Sequence, residues 1–166
     1  MRRAWLMLAL SGLVYAATLV WAAAALPPGE IPVHFGADGR ADRLGSRGEL
    51  LGVFGGVGAL VLALFGGTLA AGAHGRTEWL NIPHKDYWSA PENRARLRRL
   101  LAGDIAVLGG ATMLLLTALV VITVRAIGTQ PARLPPALWV VLGVYLALVV
   151  GATLLGRRRY RPPPQR

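Results

Sequence analysis

The chain has 166 residues, 54% of them hydrophobic, with a mean hydropathy of +0.49 and a formal charge of +10. A water-soluble domain of this length does not gather its apolar residues into long uncharged blocks, and the absence of cysteine excludes disulfides, thiolate metal sites and thiol nucleophiles. The basic residues flank the apolar blocks instead of forming one patch, which points to lipid headgroups and away from nucleic acid.

The first block, residues 4–26, carries no charge and exceeds the roughly 20 residues needed to cross hydrocarbon as a helix. Arg2 and Arg3 with the small residues Ala22–Ala25 also fit a cleaved signal peptide, which would leave three spans. The apolar run is longer than such a leader requires, so a span is expected. Pro27-Pro28-Gly29 ends the helix, because proline fixes φ and removes a backbone donor.

Residues 27–49 are dense in turn chemistry. Ile31–Phe35 reads as extended backbone, and Asp38-Gly39 as a tight turn in which glycine accepts positive φ. An ordered lid or hairpin is expected, in which Asp42 pairs with Arg43 or Arg47. Ser46-Arg47-Gly48-Glu49 matches a capping box and starts the second span, residues 50–73. Within it Gly55, Ala59, Ala63, Gly67 and Ala71 recur every fourth residue. Such a flat ridge lets helix backbones approach closely in lipid, and packing inside the bundle is the expected use, with a homo-oligomer as the alternative.

Residues 74–104 form the second loop. Ser89-Ala90-Pro91-Glu92 repeats the capping pattern, and a helix starting there runs through Arg94–Leu101 into the third span, residues 105–124. The fourth span, residues 136–156, carries a second small-residue stripe at Gly143, Ala147 and Gly151. Residues 157–166, with four arginines before Pro162-Pro163-Pro164, are expected to be a disordered basic tail. Trp5, Trp21 and Trp139 lie near span ends, where amphipathic rings anchor in the headgroup layer; Trp79 and Trp88 lie in the second loop.

The 18 basic residues set the orientation. Arg2, Arg3, the six in the second loop and the five in the tail lie on one side; Arg40, Arg43, Arg47, Arg125 and Arg133 lie on the other. The positive-inside bias therefore predicts cytoplasmic termini, an external first loop and a cytoplasmic second loop.

The spans contain no Asp, Glu, Lys, Arg or His, which argues against a proton relay or ion-coupled transporter. Thr18, Thr68, Thr112, Thr117 and Thr123 read as helix-packing hydroxyls. His34, His74 and His84 form no metal motif, and there is no nucleophile elbow or Walker loop. No cofactor, no metal and no catalytic residue are expected; for His34, a hydrogen bond within its own turn is favoured over a metal shared with Asp38 and Asp42.

Two segments carry a family resemblance. Leu26-Pro27-Pro28-Gly29-Glu30-Ile31-Pro32-Val33-His34-Phe35, continued by Gly39, Asp42-Arg43 and Ser46-Arg47, resembles the signature loop of the membrane domain in the N-terminal half of SdpI-type immunity proteins. Asn81-Ile82-Pro83-His84-Lys85-Asp86-Tyr87-Trp88 is similar to the Asn-Ile-Pro-x-Lys-x-Tyr-Trp segment of stand-alone members. Gly36 stands where that family often has Asn. The resemblance covers about residues 1–125. It implies a bacterial inner-membrane protein, and its larger relatives protect a producer from a secreted peptide toxin and signal to a repressor.

The expected structure is an all-α membrane protein, a four-transmembrane-helix bundle with an ordered external loop between helices 1 and 2. Its expected role is that of a non-catalytic interaction or immunity/signalling module in the lipid bilayer. A small transporter or accessory subunit is the first alternative, and a membrane enzyme the second. His34, Phe35, Asp42, Arg43, Ser46 and Arg47 are candidates to meet an extracellular peptide or membrane protein. Asn81, Pro83, Lys85, Tyr87 and Trp88 are candidates to meet a cytoplasmic regulator.

Overall fold

Residues 1–74 and 83–162 are described by a computed structural model. Asn81 and Trp79 lie outside the described residues, as do residues 163–166. Four helices are long and apolar enough to cross a membrane: α1 (Arg2–Ala25), α2 (Arg47–His74), α4 (Pro91–Ile127) and α5 (Ala137–Arg159). A short α3 (Lys85–Ser89) precedes α4, and two strands, β1 (Glu30–Phe35) and β2 (Ala41–Ser46), fill the connection between α1 and α2. At 1.5 Å per residue, the 37 residues of α4 extend about 55 Å, well beyond the hydrocarbon. Its first turns carry Arg94, Arg96, Arg98 and Arg99, its remainder the apolar span, and its last turn Arg125.

The core is built by α1, α2 and α4. Leu8, Leu69, Ala102 and Ala106 form one buried layer, Tyr15, Met113, Leu116 and Val120 the next, and Leu26, Ile31 and Leu50 the layer beneath the strands. The helices close in where glycines meet bulky side chains. A Cβ at Gly58 would overlap the Tyr15 ring, one at Gly109 would sit 2.9 Å from Phe65, and one at Gly12 would sit 3.0 Å from Leu62. The Tyr15 hydroxyl donates to the Phe54 carbonyl at 2.5 Å, so the one polar group on that ring is satisfied within the apolar layer.

The small-residue stripes do not do this work. Ala59, Ala63, Gly67 and Ala71 are exposed on the outer face of α2, and a Cβ at Gly55, Gly67, Gly143 or Gly151 would meet nothing within 4 Å. Gly143 and Ala147 are likewise exposed. Packing inside the bundle falls to Gly12, Gly58 and Gly109 because their register faces Leu62, Tyr15 and Phe65; a repeat of four drifts around a helix of 3.6 residues per turn and does not mark a fixed inward face.

α5 is peripheral. It packs chiefly on α4, and Gly156 is its one buried residue. A hydroxyl pair, Thr112 with Tyr145 at 2.9 Å, joins the two helices at mid-span. Of the five threonines expected as packing hydroxyls, Thr18, Thr68, Thr112 and Thr117 bond to the carbonyl four residues back in their own helices, and of these four Thr112 also reaches another helix.

Candidate functional site

The connection between α1 and α2 is an antiparallel hairpin. Its inward residues Ile31 and Val33 rest on Leu50, Phe54, Val124 and Ile127, which seats the strands on the ends of α1, α2 and α4. The register pairs Glu30 with Ser46, Ile31 with Gly45, Pro32 with Leu44, His34 with Arg43 and Phe35 with Ala41. Val33 is therefore the extra residue on β1 and Asp42 the extra residue on β2. Cross-strand partners share a face and sequence neighbours alternate, so in a regular ladder Asp42 would lie opposite to the His34–Arg43 pair. The irregularity at Asp42 re-aims it, as bulges do, and His34 Nδ1 meets Asp42 Oδ1 at 2.6 Å.

An ion pair flanks this contact. Arg43 donates to Glu49 Oε1 at 2.5 Å. Asp42 thus pairs with His34 and not with Arg43 or Arg47, because Arg43 is taken by Glu49. Arg47, the first residue of α2, instead reaches the Leu26 carbonyl at 3.5 Å. The Ser46 hydroxyl accepts from the Glu49 amide at 3.0 Å, so half of the expected capping box forms while the Glu49 carboxylate is diverted to Arg43. The His34 and Asp42 side chains are 61% and 51% exposed, which leaves them open to a partner and makes their pairing worth little to stability.

The hairpin turn is held by its own hydrogen bonds. Asp38 Oδ1 accepts from the Arg40 amide at 3.0 Å, Gly36 donates to the Arg40 carbonyl at 2.8 Å, and Gly39 adopts φ +78°. A Cβ at Gly36 would stand 3.2 Å from Asp38 Oδ1 and 3.3 Å from Asp42 Oδ2. The two carboxylates therefore crowd Gly36. The turn is also pinned from across the bundle. Leu134 donates to the Gly39 carbonyl at 2.8 Å, Ala41 donates to the Ala132 carbonyl at 3.3 Å, and Arg40 and Arg133 form a β-bridge.

Two grooves flank this cap. One of about 230 Å³ lies between the strands and α2, with His34, Phe35, Arg43 and Glu49 in its wall. The other, of about 540 Å³, lies between the turn and the start of α5, beside Phe35, Asp38, Arg133 and Trp139. Of the outward cap candidates, His34, Phe35, Asp42 and Arg43 are brought together; Ser46 and Arg47 serve the start of α2. Among the described residues no three His, Asp or Glu side chains converge, and Asp38 turns to Arg40 instead of joining His34.

The second-loop candidates occupy the end of the bundle opposite the hairpin. Pro83 and Lys85 are exposed and Tyr87 is half-buried, but Trp88 is 1% exposed. Its indole N–H donates to the Tyr160 carbonyl at 3.0 Å, and its ring packs against Leu97 and edge-on to Tyr87 and Tyr160. Trp88 therefore anchors α3 and is not presented to a partner. Asn93 and Arg94 hold the α3–α4 corner through the Tyr87 and Ser89 carbonyls. Ser89 bonds back to the Lys85 carbonyl and Ala90 occupies the cap of α4, so the second capping box does not form. Arg157–Arg159 continue α5, and Tyr160 is buried with its hydroxyl on Asp104 at 2.8 Å; the tail is ordered through these residues. Burial, then the hydrogen bond to Asp104, pushes the Tyr160 pKa up.

Sequence reasoning did not reach Glu49 as an ion-pair partner, the strand-like residues 132–134, or the Asp104–Tyr160 contact. Leu134 precedes proline, which biases it to extended backbone, and Asp104 is the one acid bordering the third apolar run. No family model, no curated protein and no solved structure matches the chain.

Proposed function

We propose that the chain is a non-catalytic, multi-pass protein of a bacterial inner membrane, with cytoplasmic termini, whose hairpin cap recognises an extracellular peptide or membrane protein in the manner of an SdpI-type immunity or signalling module. One observation carries this reading. His34, Asp42, Arg43 and Glu49 are polar, exposed and held in a preordered cap, while among the described residues the side chains buried between α1, α2 and α4 are apolar apart from Ser11 and Tyr15, whose hydroxyls bond to the Leu8 and Phe54 carbonyls. Preorganised polar groups at the rim of a groove are what a peptide ligand needs, since less ordering is lost on binding. The apolar interior weighs against a transporter, which needs polar groups along its path.

The chain has no cysteine, so single-cysteine variants give background-free topology. Ala37→Cys is expected to react with a membrane-impermeant maleimide in intact cells, and Lys85→Cys only after permeabilisation. For function, a deletion strain is challenged with the secreted peptide toxins of its own species. Protection restored by the native chain and lost in a His34→Ala/Asp42→Ala variant that still accumulates in the membrane is the expected result. Indifference of the deletion strain to every such peptide ends the immunity reading.

A further inference from the structure

The end of the bundle opposite the hairpin holds the largest of the described grooves, about 650 Å³, between α4 and α5. Its walls are Leu101, Val107, Leu108, Leu148 and Leu155, with Asp104, Arg157, Arg159 and Tyr160 at its mouth. Val107, Leu148 and Leu155 are 39%, 42% and 57% exposed, so neither helix covers the other's apolar face here. The groove exists because α5 packs chiefly on α4, and because Gly151, whose Cβ position is open space, leaves a gap in its side.

We propose that this groove is a binding site for one anionic phospholipid, its acyl chain between α4 and α5 and its phosphate on Arg157. Length supports this. Leu148 and Arg157 are nine residues apart on α5, about 14 Å at helical rise, and one leaflet of a 30 Å core is about 15 Å deep. Charge selects the headgroup. Arg159 reaches Asp104 at 3.4 Å and the Tyr160 hydroxyl donates to the same carboxylate, so Asp104 is already engaged. The Arg157 side chain has no hydrogen-bond or ionic partner among the described residues, and Arg158 and Arg161 add positive charge to the same end of the chain. A basic recess between membrane helices at a headgroup layer is the arrangement that retains anionic lipids. A second copy docked here about a two-fold axis would set the arginines of one α5 against those of the other.

The test uses the purified full chain in nonionic detergent, with thermal unfolding followed as phosphatidylglycerol is added to the micelles. A saturable rise in melting temperature is expected, absent with phosphatidylcholine and absent with glycerol 3-phosphate or inorganic phosphate. Arg157→Ala is expected to weaken the apparent affinity about fivefold, and Gly151→Trp to remove the saturable rise by filling the groove. Arg125→Ala, at the far end of α4, is expected to respond as the native chain does. Equal stabilisation by phosphatidylcholine, saturation by glycerol 3-phosphate alone, equal losses in Arg125→Ala and Arg157→Ala, or a native response in Arg157→Ala would each overturn the site.

Discussion

Gly58→Ala tests which face of α2 is inside. The new Cβ would occupy the place of the Tyr15 ring edge, so the ring must move or the helices must part. Overpacking of this kind costs about 1–3 kcal/mol. A displaced ring also loses the hydroxyl bond to the Phe54 carbonyl, about 1 kcal/mol more. The expected loss is therefore about 2–4 kcal/mol. Gly67→Ala on the same helix places its Cβ in open space, so only the backbone preference changes, by about 1 kcal/mol at most and in favour of alanine. Both variants are unfolded reversibly from mixed micelles by a denaturing detergent, with helicity as the signal. Tyr15→Ala removes the obstacle, so adding Gly58→Ala to it should cost far less than in the native background. If Gly67→Ala is as damaging as Gly58→Ala, or Gly58→Ala is neutral, α2 presents its small-residue stripe inward and the helix arrangement described here is wrong.

Trp88→Ala is expected to lose about 3–5 kcal/mol and Trp88→Phe about 1 kcal/mol for the missing bond to Tyr160, both read by the same unfolding assay; near-neutral Trp88→Ala would return this residue to a partner-facing role. Asp42→Asn should change stability by less than about 1 kcal/mol because the pair with His34 is exposed, while abolishing protection in the toxin challenge. The raised pKa of Tyr160 means that the unfolded chain releases this proton first as pH climbs. Its contribution is then complete below about pH 10 and declines above it, and Tyr160→Phe should flatten that decline in an alkaline stability series.

The four spans were legible because a charge-free run of the right length has one dominant solution in lipid. The extended Ile31–Phe35 and the Asp38-Gly39 turn were legible for local reasons, proline and glycine stereochemistry. What the sequence could not convey was rotation. Gly58 and Gly67 belong to the same glycine-rich helix, and only the position of Tyr15 on α1 makes one of them an inward contact. The polar cap was legible as a set of residues but not as a set of pairs. Whether Asp42 meets Arg43 or His34 turns on a one-residue slip in the ladder. Trp88 shows the same limit, since an aromatic in a polar loop suits an interface until a distant residue such as Tyr160 is found to enclose it.

The backbone bonds of residues 132–134 to the hairpin turn have a mechanical corollary. α5 begins three residues after Leu134 and is braced chiefly by α4. Any rocking of that outrigger is delivered, through a lever only a few bonds long, to Gly39 and Ala41 and so to the strand that carries Asp42. The two loops at this end are thereby tied together, and a displacement of the lipid-facing helix is expected to reach the contact between His34 and Asp42 by this short route.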